Sequence, residues 1–275
     1  MLRRKREKFP YISAAVLAVI VLGCIFAELI MTHDPSYMDL GNFAKAPGGE
    51  FIFGTDTMGR DIFSMIWYGG RLSLAIGLLS TAISTVIAFI YGTISGISGS
   101  AVDNAMMRLT DILLSIPTIL TVIFLQAVLG AGNILTISVV IGVTSWMSVA
   151  KIVRSEVRQL RSSDFVHASK CMGGGFFHIL VRHLMPNFLS AVMFMVVMNI
   201  SSAIAAESTL SFLGIGLPAD TVSWGSMMSL AQNAMLTKAW WIIVIPGIFL
   251  VLTLLSITNL GKYLREKSNK KQRNI

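Results

Sequence analysis

The chain has 275 residues, of which 54% are hydrophobic and 13% charged, and its formal net charge is +8. Such proportions, with a positive mean hydropathy, exclude an ordinary water-soluble globule. The positive charge does not mark a nucleic-acid binder, because the basic residues are sorted by membrane side instead of being gathered with aromatics on one face.

Six apolar runs long enough to cross roughly 30 Å of hydrocarbon are expected at about Tyr11–Met31, Leu72–Ile97, Leu109–Leu129, Ile134–Ile152, Phe188–Phe212 and Trp240–Ile257. The fold class is therefore all-α, a polytopic membrane protein. Ahead of the first run, MLRRKREK carries 5 basic residues, a pattern retained on the cytoplasmic side. The run itself is too long for a signal-peptide core, and no small-x-small cleavage site precedes the polar loop at His33, so it reads as a retained helix. Cys24 lies in this run and Cys171 in a cytoplasmic loop, on the wrong sides to form a disulfide, and there is no C-x-x-C.

Between the first two runs, FGTDTMGRDIFSMIWYGGRLSL from Phe53 to Leu74 is punctuated by Gly54, Gly59 and the Gly69-Gly70 pair. Its Asp56, Arg60, Asp61 and Arg71 can neutralise one another in a folded, partly shielded cap. The second run carries Ser73, Gly77, Ser80, Ser84, Ala88, Gly92 and Gly96, mostly four apart. Such a stripe packs against protein, the neighbour being another span of this chain or a partner subunit. Next comes VDNAMMRLTDILLSIP, Val102 to Pro117, where Arg108 and Asp111 stand three apart on a helix and can pair at the membrane surface. The fourth run is diluted by Ser138, Thr144, Ser145 and Ser148; a long buried helix is the other reading there.

From Ser163 to Asn187 the chain reads SDFVHASKCMGGGFFHILVRHLMPN. A short helix-forming segment, Ser163–Met172, ends in three glycines and leads through basic residues to Pro186, the layout of a docking loop. Phe165, Ala168, Ser169 and Met172 share one helical face. His167, His178 and His183 fall here without cysteine or carboxylate partners at ligand spacing, so no metal site is expected. On the fifth run Met195, Asn199, Ser202 and Ala206 follow at helical spacing with Glu207 beside the last. A carboxylate at that depth is costly in hydrocarbon and should face a water-filled cavity or a partner. The alternative is that Asn199 and Ser202 bond neighbouring helices and Glu207 pairs with a cation of an outer loop. The tail from Lys262 holds 6 basic residues; with the N-terminal octet, Arg108 and the six between Lys151 and Arg182, 18 of the 22 lysines and arginines fall on one side, which puts both termini in the cytoplasm. The 16 methionines read as flexible packing, not a metal conduit.

The Ser163–Asn187 loop resembles the "EAA" loop of importer-type ABC permeases: Glu-Ala-Ala, three residues, Gly, nine residues, then Ile-x-Leu-Pro. The matching positions are His167, Ala168, Ser169, Gly173, His183, Met185 and Pro186, with the spacing intact. Gly54, Thr55, Asp56, Gly59, Arg60 and Asp61 resemble the G-T-D-x-x-G-R-D signature of the dipeptide, oligopeptide and nickel importer permeases. Val102–Pro117 and AESTLSFLGIGLP, Ala206 to Pro218, extend the resemblance over nearly the whole chain, while Asn259-Leu260-Gly261-Lys262 lacks an acidic residue usual near that point.

This resemblance implies a permease subunit of an ATP-driven importer in a bacterial or archaeal cytoplasmic membrane, surrounded by lipid. Its implied partners are a second permease of the same fold, two ATP-binding cassette ATPase subunits and an external substrate-binding lipoprotein or periplasmic protein. Phe165, His167, Ala168, Ser169, Met172, Gly173 and Pro186 would couple to the ATPase as a stiff lever; Gly54, Asp56, Gly59, Arg60 and Asp61 would form the outer cap that meets the binding protein; Met195, Asn199, Ser202 and Glu207 would line the translocation path. No phosphate loop, nucleophile elbow or H-E-x-x-H is present. The chain therefore reads as a non-enzyme without a cofactor of its own, ATP being bound by a separate subunit. Peptides are the favoured substrate and nickel or a metal chelate the alternative; an energy-independent channel or a membrane scaffold is the rival of another class. The expected organisation is residues 1–71 as N-terminal segment, first span and outer loop, 72–262 as permease core with its coupling loop at about 153–187, and 263–275 as basic tail.

Overall fold

Hydrocarbon offers the backbone no partner but itself, so the apolar runs must close their hydrogen bonds as helices. They do so in the computed structural model, which describes residues 9–130, 133–173, 175, 178, 185–218, 221–230 and 238–272. In chain order these are α1 (Tyr11–Ile25), α2 (Ala27–Ile30), α3 (Ile62–Ile97), α4 (Ser100–Ser115), α5 (Thr118–Leu129), α6 (Ile134–Arg161), α7 (Asp164–Cys171), α8 (Met185–Phe212), α9 (Trp224–Ser229) and α10 (Trp241–Gln272). A single bridge between Thr55 and Asp61 is the only β-pairing among the described residues.

Four helices, in α3, α6, α8 and α10, are each long and apolar enough to cross a membrane. The third expected span, Leu109–Leu129, is not one rod. Pro117 cannot continue a helix and forces Ile116 into an extended conformation (φ −85°, ψ 126°), so α4 and α5 meet at 85°. The first span is a 15-residue helix that breaks at Phe26 and resumes as α2, about 30 Å of helix in all at 1.5 Å per residue. The expected six passes therefore comprise four long helices, one broken pair and one short helix.

Packing gives the direction of each pass. A Cβ on Gly92 would sit 2.8 Å from Val153 and one on Gly96 2.9 Å from Val157, so α3 and α6 run parallel. Gly77 meets Ile204 of α8, and Phe194, near the start of α8, lies under Arg265, near the end of α10. Trp241, at the start of α10, is bonded to Thr55 just ahead of α3. Consequently α3, α6 and α10 descend from the end that carries residues 32–61, here the cap end, and α1 and α8 climb back to it. The stripe from Ser73 to Gly96 is buried throughout, and its neighbours are α6 and α8 of the same chain.

Element limits differ from the hydropathy runs for local reasons. α3 starts at Ile62, ten positions before Leu72, because the Asp61 carboxylate accepts the Ser64 N–H at 3.1 Å as an N-cap. It passes position 71 unbroken, and α10 likewise carries helix through position 263 to Gln272. α6 runs to Arg161 and is the most buried of the four long helices; Ser138 and Thr144 both face protein instead of lipid, and the Thr144 hydroxyl donates to the Val140 carbonyl at 2.9 Å.

Candidate functional site

The cap is built around one buried ion pair. Asp56 turns back on itself, its Oδ1 accepting the N–H groups of Met58 (2.7 Å) and Arg60 (2.9 Å) while its Oδ2 accepts Arg60 Nε at 2.7 Å. Gly54 and Gly59 supply the left-handed turns (φ +77° and +76°), and both are pressed: a Cβ on Gly59 would lie 1.7 Å from the Asp39 carbonyl oxygen. Thr55 donates to the Asn42 carbonyl, and its own carbonyl accepts Trp241 Nε1 at 3.1 Å. Asp61 caps α3 and also accepts the Thr32 hydroxyl at 2.8 Å. Thus Thr55, Asp56, Arg60 and Asp61 are all buried. The mutual neutralisation expected of four charges holds for Asp56 and Arg60 alone. Arg71 instead donates to the carbonyls of Cys24 and Ile25 and pairs with Glu28 at 2.8 Å, which ties α1 to α3.

Among the path candidates, Glu207 stands apart. It is 0% exposed, and its carboxylate accepts four serine hydroxyls: Ser223 (2.8 Å), Ser211 (2.9 Å), Ser73 (3.2 Å) and Ser208 (3.4 Å). Ser73 is on α3 and Ser223 caps α9, so this carboxylate joins three elements below the cap. No cation is paired with it among the described residues, in contrast to the ion pair considered from sequence. Asn199 donates to Ser84 Oγ on α3 at 2.7 Å, as the bonding alternative has it. Ser202 is exposed and donates to its own helix at Met198, and Met195 packs half-buried against the α3–α6 core. These four side chains do not converge on one space within this chain.

At the opposite end, α7 follows α6 after a tight turn. Val166 (1% exposed) and Ser169 (4%) face the core, whereas Ala168 and Met172 (83%) are exposed. Ser169 is thus turned inward within this chain, and Val166, three positions before it, packs in a cluster with residues of α6 and α8. The side chains of Phe165, His167 and Pro186, and residue His183, lie outside the described residues. Gly173 adopts φ +83° just past the helix end, the left-handed turn that terminates a helix, and Pro186 occupies the first turn of α8, where its missing N–H costs nothing.

A charge cluster that joins α4 to α6 was not anticipated from the sequence. Asp103 of α4 is buried and takes hydrogen bonds from Ser95 Oγ (2.6 Å), Arg154 Nε (2.8 Å) and Arg158, while Asp111 takes Lys151 Nζ at 2.5 Å. Asp111 thus pairs across to α6 and not with Arg108, since α4 turns its acidic face toward α6. The signal was present: Lys151, Arg154 and Arg158 share a helical face at three- and four-residue spacing, opposite two aspartates eight apart.

Two family comparisons match this chain. Residues 88–270 match the binding-protein-dependent transport system inner membrane component, and residues 1–47 match the N-terminal TM domain of oligopeptide transport permease C. Among curated proteins, the oligopeptide transport system permease protein OppC of Bacillus subtilis is 36% identical over 273 residues, covering 99% of this chain and 89% of its own length. The dipeptide transport system permease protein DppC of the same organism is 34% identical over 271 residues, with 98% and 84% covered. The di/tripeptide transport system permease protein DppC of Pseudomonas aeruginosa is 32% identical over 265 residues, with 94% and 86% covered.

Proposed function

This chain belongs to the family of binding-protein-dependent transport system inner membrane components, and from that premise we propose that it forms half of the path by which an ATP-driven importer carries short peptides inward. The observation that carries the substrate class is the likeness to oligopeptide, dipeptide and di/tripeptide permeases over nearly the whole length of both partners. Nickel is the less favoured cargo, since no relative named here is described as carrying it.

The partners in this reading are a second permease of the same fold, two ATPase subunits that bind and hydrolyse ATP, and an external binding protein. The cap end faces outward and meets the binding protein through exposed neighbours of the buried signature, such as Ile52. Both termini and α7 lie in the cytoplasm. Support for a shared side comes from Phe9 stacking on Tyr263 and Asn259 bonding Ser13, which bring the start of α1 to the last turns of α10, at the end where α7 sits.

Coupling runs through α7. An ATPase groove takes its exposed side, with Ala168 and Met172 inserted. Val166 and Ser169 pack the helix to the core, so movement of α7 is passed to α6 and α8 as a rigid-body shift. The ATPase can drive this only by binding the two permease states with different affinity. The Asp103–Arg154–Arg158 cluster makes the start of α4 travel with α6. Ser202, exposed on α8, and the half-buried Asn199 and Met195 contribute to the path only once the second permease closes it.

Co-purification with ATPase subunits and uptake of a radiolabelled peptide by the reconstituted complex test this reading. Gly173→Val, which forces a β-branched residue into a left-handed conformation costing about 1–2 kcal/mol, should cut uptake at least ten-fold by order of magnitude while membrane insertion is unchanged. Wild-type uptake by that variant would refute the lever.

A further inference from the structure

Between the end of α5 and the turn after α8 lies a cavity of about 460 Å³, whose wall includes Gln126, Ser211, Gly216, Leu217, Ser226 and Ser229. The turn is glycine-built: Gly214 has φ +76°, and a Cβ on Gly216 would come within 2.3 Å of Ser211 Oγ. Among the described residues no charged side chain lines this space. The hydroxyls of the wall are all engaged, Ser211 with Glu207, Ser226 with the Thr221 carbonyl and Ser229 with the Ser226 carbonyl. Gln126 differs. It is 4% exposed, and neither Nε2 nor Oε1 has a hydrogen-bond partner. A buried polar group left unpaired costs about 1–3 kcal/mol, and most such groups in native proteins are paired.

We propose that this cavity is a transit subsite for the middle of a short peptide, with the Gln126 carboxamide as its backbone reader. The proposal rests on the peptide-importer reading above. A carboxamide offers a carbonyl acceptor and two N–H donors, the complement of one peptide group, so it can pair with any peptide whatever its side chains. The uncharged wall cannot neutralise a terminal ammonium, a terminal carboxylate or a metal ion. It therefore suits an internal peptide bond, while Ile215, Leu217 and Pro218 receive apolar side chains without selecting among them. Both amide atoms are covered by the wall, so reading a peptide requires a turn of the Gln126 side-chain torsions toward the cavity. The volume falls within the roughly 300–1,000 Å³ of small-molecule sites.

The test uses the assembled transporter in liposomes, with saturating binding protein and tri-alanine as the probe. Gln126→Leu keeps the bulk and removes the amide. Maximal tri-alanine uptake should fall about five-fold, the loss of roughly one hydrogen bond, while the unfolding midpoint of the complex stays level or rises, because an unpaired amide has been replaced by an apolar group. Ala127→Trp, at the exposed rim, should lower uptake by filling the space. Wild-type uptake by both variants would overturn the subsite, as would a lowered midpoint for Gln126→Leu, which would mark the amide as structural. Loss of the second permease on purification of Gln126→Leu would also overturn it, by assigning the cavity to that subunit. If the wild-type complex assembles but carries no tri-alanine, the peptide reading itself fails and the subsite with it.

Discussion

Asp56 holds a charge in a place where water cannot reach it, and the geometry explains how. Every favourable contact of the carboxylate comes from its own loop, two backbone N–H groups and the Arg60 guanidinium within four residues. Removing one member of a buried, hydrogen-bonded pair leaves the other uncompensated, which costs about 3–5 kcal/mol. Asp56→Ala should therefore lower the thermal unfolding midpoint of the purified protein sharply, whereas replacing Asp56 and Arg60 together with apolar residues of similar size should cost much less. Equal losses in the single and double variants would argue against the pairing. Glu207, also buried, is held by four serine hydroxyls and, among the described residues, no cation, an arrangement that spacing could not reveal because Ser73 and Ser223 stand far from it in the chain. The Asp56–Arg60 pair was legible only in part, since the sequence offered four charges able to neutralise one another and the fold pairs two of them.

Among the elements, α3 and α6 set the frame. Their backbones approach so closely at Gly92 that a Cβ there would lie 2.6 Å from the Ala150 carbonyl oxygen, an atom of the backbone that cannot step aside. Gly92→Ile should destabilise the fold by about 1–3 kcal/mol or more through overpacking, seen as reduced yield of monodisperse protein and a lower midpoint, while Leu78→Ile on the exposed face of the same helix should change neither. The small-residue stripe announced this contact, since close approach needs small side chains, but left the neighbour open, which only the packing of α6 and α8 decides. The break at Pro117 was equally visible as a residue, yet hydropathy averages across it and returned one run from Leu109 to Leu129. The Arg108–Asp111 pair failed for a different reason: spacing along one helix shows which charges can meet, and α6 brings a lysine that meets Asp111 first. α7 was legible as a helix ended by Gly173, but its orientation was not, because the buried Val166 lies one position beyond the face chosen from spacing.

At the scale of the bundle, α1 and α10 are neighbours, joined by the Asn259–Ser13 hydrogen bond at 3.0 Å and by Phe9 stacked edge-on against Tyr263. Cysteines at positions 13 and 259, introduced together by Ser13→Cys and Asn259→Cys after replacement of Cys24 and Cys171 by serine, should be joined by a short bifunctional thiol reagent in intact membranes. Failure to join them would refute this closure of the bundle. Closure also bears on the order of assembly, since α1 leaves the ribosome well before α10, the helix on which it rests. While the helices between them are being made, α1 must wait in the lipid with α3 as its main companion, held there by Arg71. Chains cut short before Trp241 should therefore leave one side of α1 uncovered, seen as faster degradation in the membrane than that of the full chain.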